Sequence, residues 1–143
     1  MKKVFYNSWL AKAILFPQFS TITIMALVFT KYRSLKQAVI NHECTHARQW
    51  TELAIASGIL IWLGILIFGY SAWCLLFAAA VFYIWYGLEY GIRFLISTIL
   101  DDGCAAHDIY KSVSFEQEAR FSEEDNNYLE NSNYFSWTKF LFK

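Results

Sequence analysis

The residues with the clearest capacity for chemistry are His42, Glu43 and His46, which form the pattern His-Glu-x-x-His. On a helix, His42 and His46 lie on one face, so both imidazoles can reach a single zinc ion. Glu43 follows about 100° around the helix, close enough to hold a water molecule that the metal polarises. The motif therefore predicts a zinc centre with Glu43 as catalytic base, and an inert motif is the alternative.

The motif needs a helix, and residues 34–52 are predicted to form one. No glycine or proline interrupts the chain between Lys36 and Trp50, and Ser34 is a candidate N-cap. Arg48 and Glu52 form an i, i+4 pair on the side away from the histidines. We therefore expect the histidines to project from a regular helix.

A catalytic zinc site takes three protein ligands and leaves the fourth position for water. The acidic segment that begins at Ser114 is predicted to form a helix over residues 114–130 and to supply the third ligand. Glu116 and Glu118 point in different directions on such a helix, so only one of them can face the metal. The alternative for both is a solvated first turn that the helix dipole favours.

Other polar residues have weaker claims to a role. Glu89 forms an i, i+4 pair with Arg93, which favours a structural role and leaves Glu89 as a reserve ligand. His107 is a candidate oxyanion donor or proton shuttle, and Tyr110 is a candidate oxyanion donor. Cys44 lies within the motif but faces away from both histidines, which favours a small filler over a ligand.

The chain is 57% hydrophobic and 20% aromatic, and its apolar excess is concentrated in one segment. No charged residue or histidine occurs from Leu53 to Leu88, a length of about two membrane-spanning helices. A turn near Gly69 divides the segment, so the prediction is a helical hairpin of residues 53–68 and 72–90 in a lipid bilayer. The alternative is a pair of buried helices in a soluble protein.

The distribution of charge predicts an orientation for this hairpin. All twelve Lys and Arg residues lie outside the uncharged segment, so the positive-inside rule places both termini and the histidine motif in the cytoplasm. A net charge of zero argues against nucleic acid as a partner. The pair Gly87-x-x-x-Gly91 is a close-packing motif that fits either a homo-oligomer or a contact within the hairpin.

The two ends of the chain are predicted to be peripheral. Residues 13–30 are rich in β-branched side chains and are predicted to form a ribbon of two strands, at 13–16 and 22–29, with a third membrane span as the alternative. Residues 134–143 are aromatic and basic, which is typical of an interfacial helix on the inner leaflet. Packing of this tail on the protein's own core is the alternative.

The two motifs together carry a family resemblance. His42-Glu43-x-x-His46, followed by Glu116-x-x-Ala119, resembles the gluzincin metallopeptidases, in particular the integral-membrane branch of CAAX prenyl proteases, heat-shock membrane proteases and β-lactam-sensor peptidases. The wider wording is similar to a family of small Bacteroidetes membrane proteins, over roughly residues 20 to 142. The resemblance implies that Glu116 is the third zinc ligand and that the activity is hydrolysis of a peptide or protein substrate.

One residue departs from the pattern of that branch. Its better-known members carry an Asp after the Ala, which hydrogen-bonds a ligating histidine, whereas this chain has Arg120. Loss of such a contact weakens metal binding by about 10- to 100-fold unless Asp101, Asp102 or Asp108 replaces it. A degenerate site therefore stays open as an alternative.

Taken together, the sequence predicts a mainly α-helical, minimal zincin-like membrane protein. A two-helix transmembrane hairpin is inserted between the helix of the His-Glu-x-x-His motif and the helix of the third ligand, and a short β-ribbon precedes them. The predicted function is that of a zinc-dependent endopeptidase at the cytoplasmic membrane face. The alternative is a non-catalytic membrane anchor or sensor with a structural or degenerate metal site.

Overall fold

The computed structural model describes residues 3–15, 20–100 and 103–142, and it is mainly helical with one small sheet. Strand β1 (Val4–Phe5) and helix α1 (Trp9–Ile14) precede the hairpin strands β2 (Thr21–Ile24) and β3 (Leu27–Thr30). Two long helices follow, α2 (Gln37–Phe68) and α3 (Leu76–Leu100), with a 3₁₀ turn at Ala72–Leu75 between them. The chain ends with α4 (Ala106–Ser112), α5 (Ser114–Ser122), α6 (Tyr128–Asn131) and a 3₁₀ helix at Ser136–Phe140.

The sheet has three strands, with β3 at its centre. Strand β1 pairs with β3 in parallel, and β2 pairs with β3 in antiparallel register, with Thr23 opposite Val28. The predicted strand at 22–29 is wrong, because Met25 has a left-handed backbone (φ 56°) and turns the chain into a tight hairpin. The predicted strand at 13–16 is also wrong, since Ala13 belongs to α1, whose Ala11 is buried; Phe16 lies outside the described residues.

The motif helix and the first long apolar segment are one continuous helix, α2, rather than the two separate elements at 34–52 and 53–68. Nothing in the sequence breaks the helix at residues 52–53, and α2 runs for 32 residues, or about 48 Å. It begins at Gln37, later than predicted, and Lys36 rather than Ser34 occupies the N-cap position. It ends at Gly69, whose φ of 68° forms a left-handed C-cap. The histidine motif is therefore rigidly joined to the apolar segment.

Helices α2 and α3 pack against each other and expose most of their apolar surface. The Cβ position of Gly58 lies 3.8 Å from Ala78 Cβ, and the Trp50 indole donates to the Ala79 carbonyl at 2.9 Å. By length and composition, both helices are long and apolar enough to cross a membrane. Only 6% and 11% of their most apolar windows are buried, which is less than a pair of soluble core helices would show. Helix α3 continues ten residues beyond its predicted end at 90.

The buried core lies where α5 meets α3 and the C-terminal segment. Phe115 is fully buried, and its ring centroid lies 4.9 Å from that of Phe82 and 4.6 Å from that of Trp137. The tail therefore packs on the protein's own core through Trp137, in a 3₁₀ helix, and does not form the predicted interfacial helix over 134–143. The predicted helix at 114–130 is also too long, because Asp125 and Asn127 form a turn after α5.

Candidate metal centre

Three side chains from two distant parts of the chain converge at one end of the core. His42 and His46 come from α2 and Glu116 comes from α5, and their ligand atoms all lie within 4.8 Å of one another. The two Nε2 atoms are 3.1 Å apart, and Glu116 oxygens lie 3.1 Å from His46 Nε2 and 3.6 Å from His42 Nε2. We call these three residues the metal centre, because the group could hold a metal ion.

The spacing of the metal centre fits zinc. Ligands at about 2.0–2.1 Å from a tetrahedral ion lie about 3.3 Å apart, and the three observed distances of 3.1, 3.1 and 3.6 Å bracket that value. Two imidazoles and one carboxylate are also a donor set that catalytic zinc sites use. The residues present therefore fit zinc.

The Nδ1 atoms of both histidines lie within hydrogen-bond distance of acceptor oxygens, and this orients the two Nε2 atoms. His42 Nδ1 lies 2.9 Å from Glu123 Oε1, and His46 Nδ1 lies 2.8 Å from Gln49 Oε1. Gln49 directs its own amide nitrogen to the Phe115 carbonyl at 3.1 Å and to a carboxylate, so its oxygen must face His46. When both Nδ1 atoms donate, both Nε2 atoms turn lone pairs toward each other, an arrangement that a shared cation would stabilise.

Glu123 makes the hydrogen bond to a ligating histidine that was expected to be lost because Arg120 stands in place of an Asp. Arg120 is exposed, whereas Glu123 holds His42 from the end of α5. Of the residues considered as replacements, Asp108 is exposed and pairs with Lys111, and residues 101 and 102 lie outside the described residues. Glu123 was not among the predicted site residues, although it follows Glu116 by seven residues, or about two helical turns, and so shares its face.

Glu118, the first reserve ligand, lies behind the metal centre rather than in it. Its carboxylate is buried and accepts from the Gln49 amide at 2.8 Å and from the Tyr128 hydroxyl at 3.0 Å. Burial raises the pKa of Glu118 and raises that of Tyr128 to about 12. Glu118 therefore anchors Gln49, which in turn holds His46.

Glu89, the second reserve ligand, positions the third-ligand helix. Its two carboxylate oxygens accept from the Ser114 backbone N–H at 2.8 Å and the Ser114 hydroxyl at 2.6 Å, and Arg93 donates to it at 3.0 Å. A carboxylate at the first residue of α5 satisfies an N–H group that has no acceptor within the helix. Glu89 thus fixes the start of the helix that carries Glu116, and it lies outside the metal centre.

Two tyrosines hold the Glu116 carboxylate. The Tyr110 hydroxyl donates to Glu116 Oε1 at 2.5 Å and the Tyr86 hydroxyl donates to the same atom at 3.0 Å. Without a bound metal, burial alone would raise the pKa of Glu116, but the hydrogen bond and charge of a protonated His46, together with Tyr110, lower it to about 2. Burial and the nearby Glu116 charge raise the pKa of Tyr110, so its hydroxyl keeps its proton. Glu116 is therefore an anion across the physiological pH range.

Of the two remaining predicted residues, Glu43 lies beside the metal centre and His107 lies away from it. Glu43 lines a cavity of about 370 Å³ that also contains the three residues of the metal centre and Tyr110. Thr23 of β2 donates to Glu43 Oε2 at 2.6 Å and so fixes the carboxylate at the cavity wall. The side chain of His107 is 71% exposed and lies outside this cavity, so the structure does not bring it to the site.

Replacing Glu123 with alanine is expected to weaken zinc binding by about 10- to 100-fold, because the His42 ring loses the carboxylate that orients it. The adjacent exposed residue provides a matched control, since Glu124→Ala removes the same charge without touching the histidine. Competition with a fluorescent zinc chelator measures both dissociation constants. Equal affinities for the two variants would contradict the orienting role of Glu123.

No protein-family profile, curated protein or solved structure matches this chain.

Proposed function

We propose that this protein is a zinc-dependent endopeptidase that is anchored in a membrane and hydrolyses peptide bonds at the cytoplasmic face. The observation that carries the proposal is the convergence of His42, His46 and Glu116 at zinc-like spacings, with Glu43 on the wall of the same cavity. The site thus combines three ligands with a carboxylate that is free to act as a base. That combination is what metal-assisted hydrolysis requires.

Glu43 is the residue that moves protons in this proposal. Zinc, when bound, would polarise the substrate carbonyl and lower the pKa of a water molecule toward 7. The Glu43 carboxylate takes the proton from the attacking water and gives it to the leaving amine. Thr23 holds one carboxylate oxygen, so the other, Oε1, is the atom that receives the proton.

Tyr110 holds the third ligand in the same proposal. Its hydroxyl hydrogen is committed to Glu116 Oε1, so the geometry supports its function as a support for the ligand. Stabilising an oxyanion would require that hydrogen to change acceptor, while Tyr86 keeps its own bond to Glu116. Positioning of the third ligand is thus the primary role that we assign to Tyr110.

The membrane anchor is formed by residues 53–68 of α2 and 72–90 of α3. Large apolar side chains along both segments are exposed, including those of Ile67, Trp73 and Leu88. Tyr70 and Trp73 flank the turn, as aromatic residues do at membrane interfaces. Because the turn carries no Lys or Arg, the positive-inside rule favours both termini and the metal centre on the cytoplasmic side.

The proposed orientation predicts opposite labelling at the two ends of α3. In intact cells, a membrane-impermeant maleimide should label Tyr70→Cys, made in a Cys74→Ser, Cys104→Ser background. In a Cys74→Ser protein, it should not label the native Cys104, which is exposed on the opposite side, until the cells are lysed. Labelling of Cys104 in intact cells, with Tyr70→Cys protected, would reverse the orientation.

A non-catalytic anchor or sensor is the alternative function. Its main support in the sequence is Arg120, which replaces the acidic residue expected to orient a ligand. The contact between Glu123 and His42 provides such an acidic partner from another position and weakens that support. The endopeptidase is therefore the function that the geometry supports best.

Zinc-dependent hydrolysis tests the proposed function. Zinc-loaded protein in detergent micelles is expected to cleave members of a mixture of internally quenched peptides. Cleavage should stop when a chelator removes the metal and return when zinc is restored. The reason is that the protein alone cannot replace the metal in polarising the carbonyl and the water. His42→Ala, purified in parallel, is the control. Equal cleavage by that variant would show that a contaminating protease is responsible.

A further inference from the structure

The cavity beside the metal centre has one wall that the proposed chemistry does not use. Helix α3 contributes Phe82, Tyr83 and Gly87 to this wall, and the β2–β3 hairpin contributes Ile22 and Met25. The described residues that line the cavity include no Lys or Arg, and the charged groups belong to the metal centre and Glu43. The wall is thus apolar and aromatic, and it lies next to the metal centre.

The wall is held in place by a contact between its two halves. The Met25 backbone N–H donates to the Tyr83 hydroxyl at 2.8 Å, which ties the hairpin turn to α3. The Phe82 side chain is buried, with its ring centroid 6.5 Å from that of His46. The apolar wall is therefore preformed and directly adjoins a metal ligand.

Gly87 leaves open space in this wall. A Cβ atom placed there would meet no atom of the described residues within 4 Å, so packing within the chain does not require glycine. A glycine inside a helix is less stable than an alanine, and the packing of the described residues does not account for the glycine at this position. The same test at Gly91, one turn further along, also finds open space, but Gly91 does not line the cavity. Close packing between the two long helices therefore does not require glycine at either position of the Gly87-x-x-x-Gly91 pair.

We infer that the wall around Gly87 is a subsite for the large apolar side chain of the peptide residue beside the metal centre, and that Gly87 determines its size. The inference rests on the proposed function and names its substrate class, peptides with a large apolar residue at the cleaved bond. An apolar side chain fills the space that a Cβ at position 87 would occupy and packs against Phe82 and Tyr83. Acidic side chains are disfavoured, because the wall is apolar and the described residues that line the cavity include no Lys or Arg to pair with a carboxylate.

Peptide hydroxamates test the subsite without requiring hydrolysis. Three short hydroxamates that differ only in carrying Gly, Leu or Asp at the residue next to the chelating group are titrated against zinc-loaded protein in one detergent. The Leu compound is expected to bind about 10- to 200-fold more tightly than the Gly compound, the range for an apolar pocket, and the Asp compound more weakly than either. Hydrolysis of matching Leu and Gly peptides is measured on the same preparation.

Gly87→Phe fills the subsite and is expected to bring the Leu-to-Gly affinity ratio close to one, with zinc content unchanged. Gly64→Phe adds the same bulk on α2, where a Cβ atom also meets no atom of the described residues within 4 Å and which is away from the cavity, and it should keep the wild-type ratio. Partitioning of the Leu compound into micelles affects both variants equally and cancels in this comparison. A ratio near one in the wild type, no hydroxamate binding at all, or equal ratios in the two variants would overturn the inference. A Leu preference without hydrolysis would support the subsite and count only against the proposed endopeptidase.

Discussion

Glu43→Gln is expected to lower kcat for peptide hydrolysis by about 10²- to 10⁴-fold, the usual contribution of one acid–base group, and to leave zinc content unchanged. The amide has the size of the carboxylate and can still accept from Thr23, so the cavity wall keeps its shape. It cannot accept a proton from water. The loss should therefore appear in kcat rather than in KM.

The control for this substitution is Glu124→Gln, which makes the same chemical change at an exposed carboxylate. It should retain wild-type kcat and zinc content. Zinc is measured in both variants, so that a loss of metal is not mistaken for the loss of a base. Hydrolysis by Glu43→Gln at the wild-type rate would show that Glu43 is not the base.

Glu116→Gln is expected to weaken zinc binding by more than about 100-fold. Loss of a residue that only orients a ligand weakens it by about 100-fold at most. Glu116 is 1% exposed and anionic, and its oxygens face both histidines. The amide keeps the acceptor for Tyr110 and Tyr86 but removes the charge and presents a nitrogen to the metal site. The protein should fold and fail to retain zinc.

Glu118→Gln is the matched control, because Glu118 is a second buried carboxylate on the same helix, 3% exposed. It supports Gln49 and not the metal directly, so its loss should weaken zinc binding by no more than about 10- to 100-fold. Chelator competition gives both dissociation constants, and circular dichroism confirms that both variants are folded. A larger effect at Glu118 than at Glu116 would exchange their roles.

The residues of the metal centre could be predicted because zinc chemistry constrains their type and spacing. Two histidines four apart on a helix point to one metal, and a site with two histidines requires a third ligand from elsewhere. The sequence leaves Glu116 or Glu118 as the candidate third ligand, with Glu89 as a reserve, and the family resemblance favours Glu116. The structure brings Glu116 to the histidines across some seventy residues of chain.

The supports of the metal centre were harder to predict, because each depends on a contact between distant elements. Glu123 reaches His42 only after α5 packs on α2. Glu89 reaches Ser114 only after the start of α5 packs on α3. Neither contact has a fixed spacing in the chain. Gln49 is the exception, because it follows His46 by three residues on one helix face.

Local propensity misled the prediction near the N-terminus. The β-branched residues from Ile22 onward indicated one long strand, but the positive φ of Met25 divides it into a hairpin. Helix continuity was also missed at Glu52, where the change from polar to apolar composition was interpreted as a boundary between elements. Composition reports the surroundings of a helix, and here it changes along α2 without a break in its hydrogen bonds.

Zinc-edge X-ray absorption of the purified wild-type protein is the most direct test of the metal centre. The expected result is about one zinc per chain, with two imidazole nitrogens at about 2.0–2.1 Å, oxygen ligands at about 2.0–2.2 Å and no sulfur. Cys44, the cysteine within the motif, is 5% exposed and lines a different cavity from the metal centre. Zinc bound through sulfur at about 2.3 Å, or a protein that binds no zinc, would contradict the assignment of His42, His46 and Glu116 as its ligands.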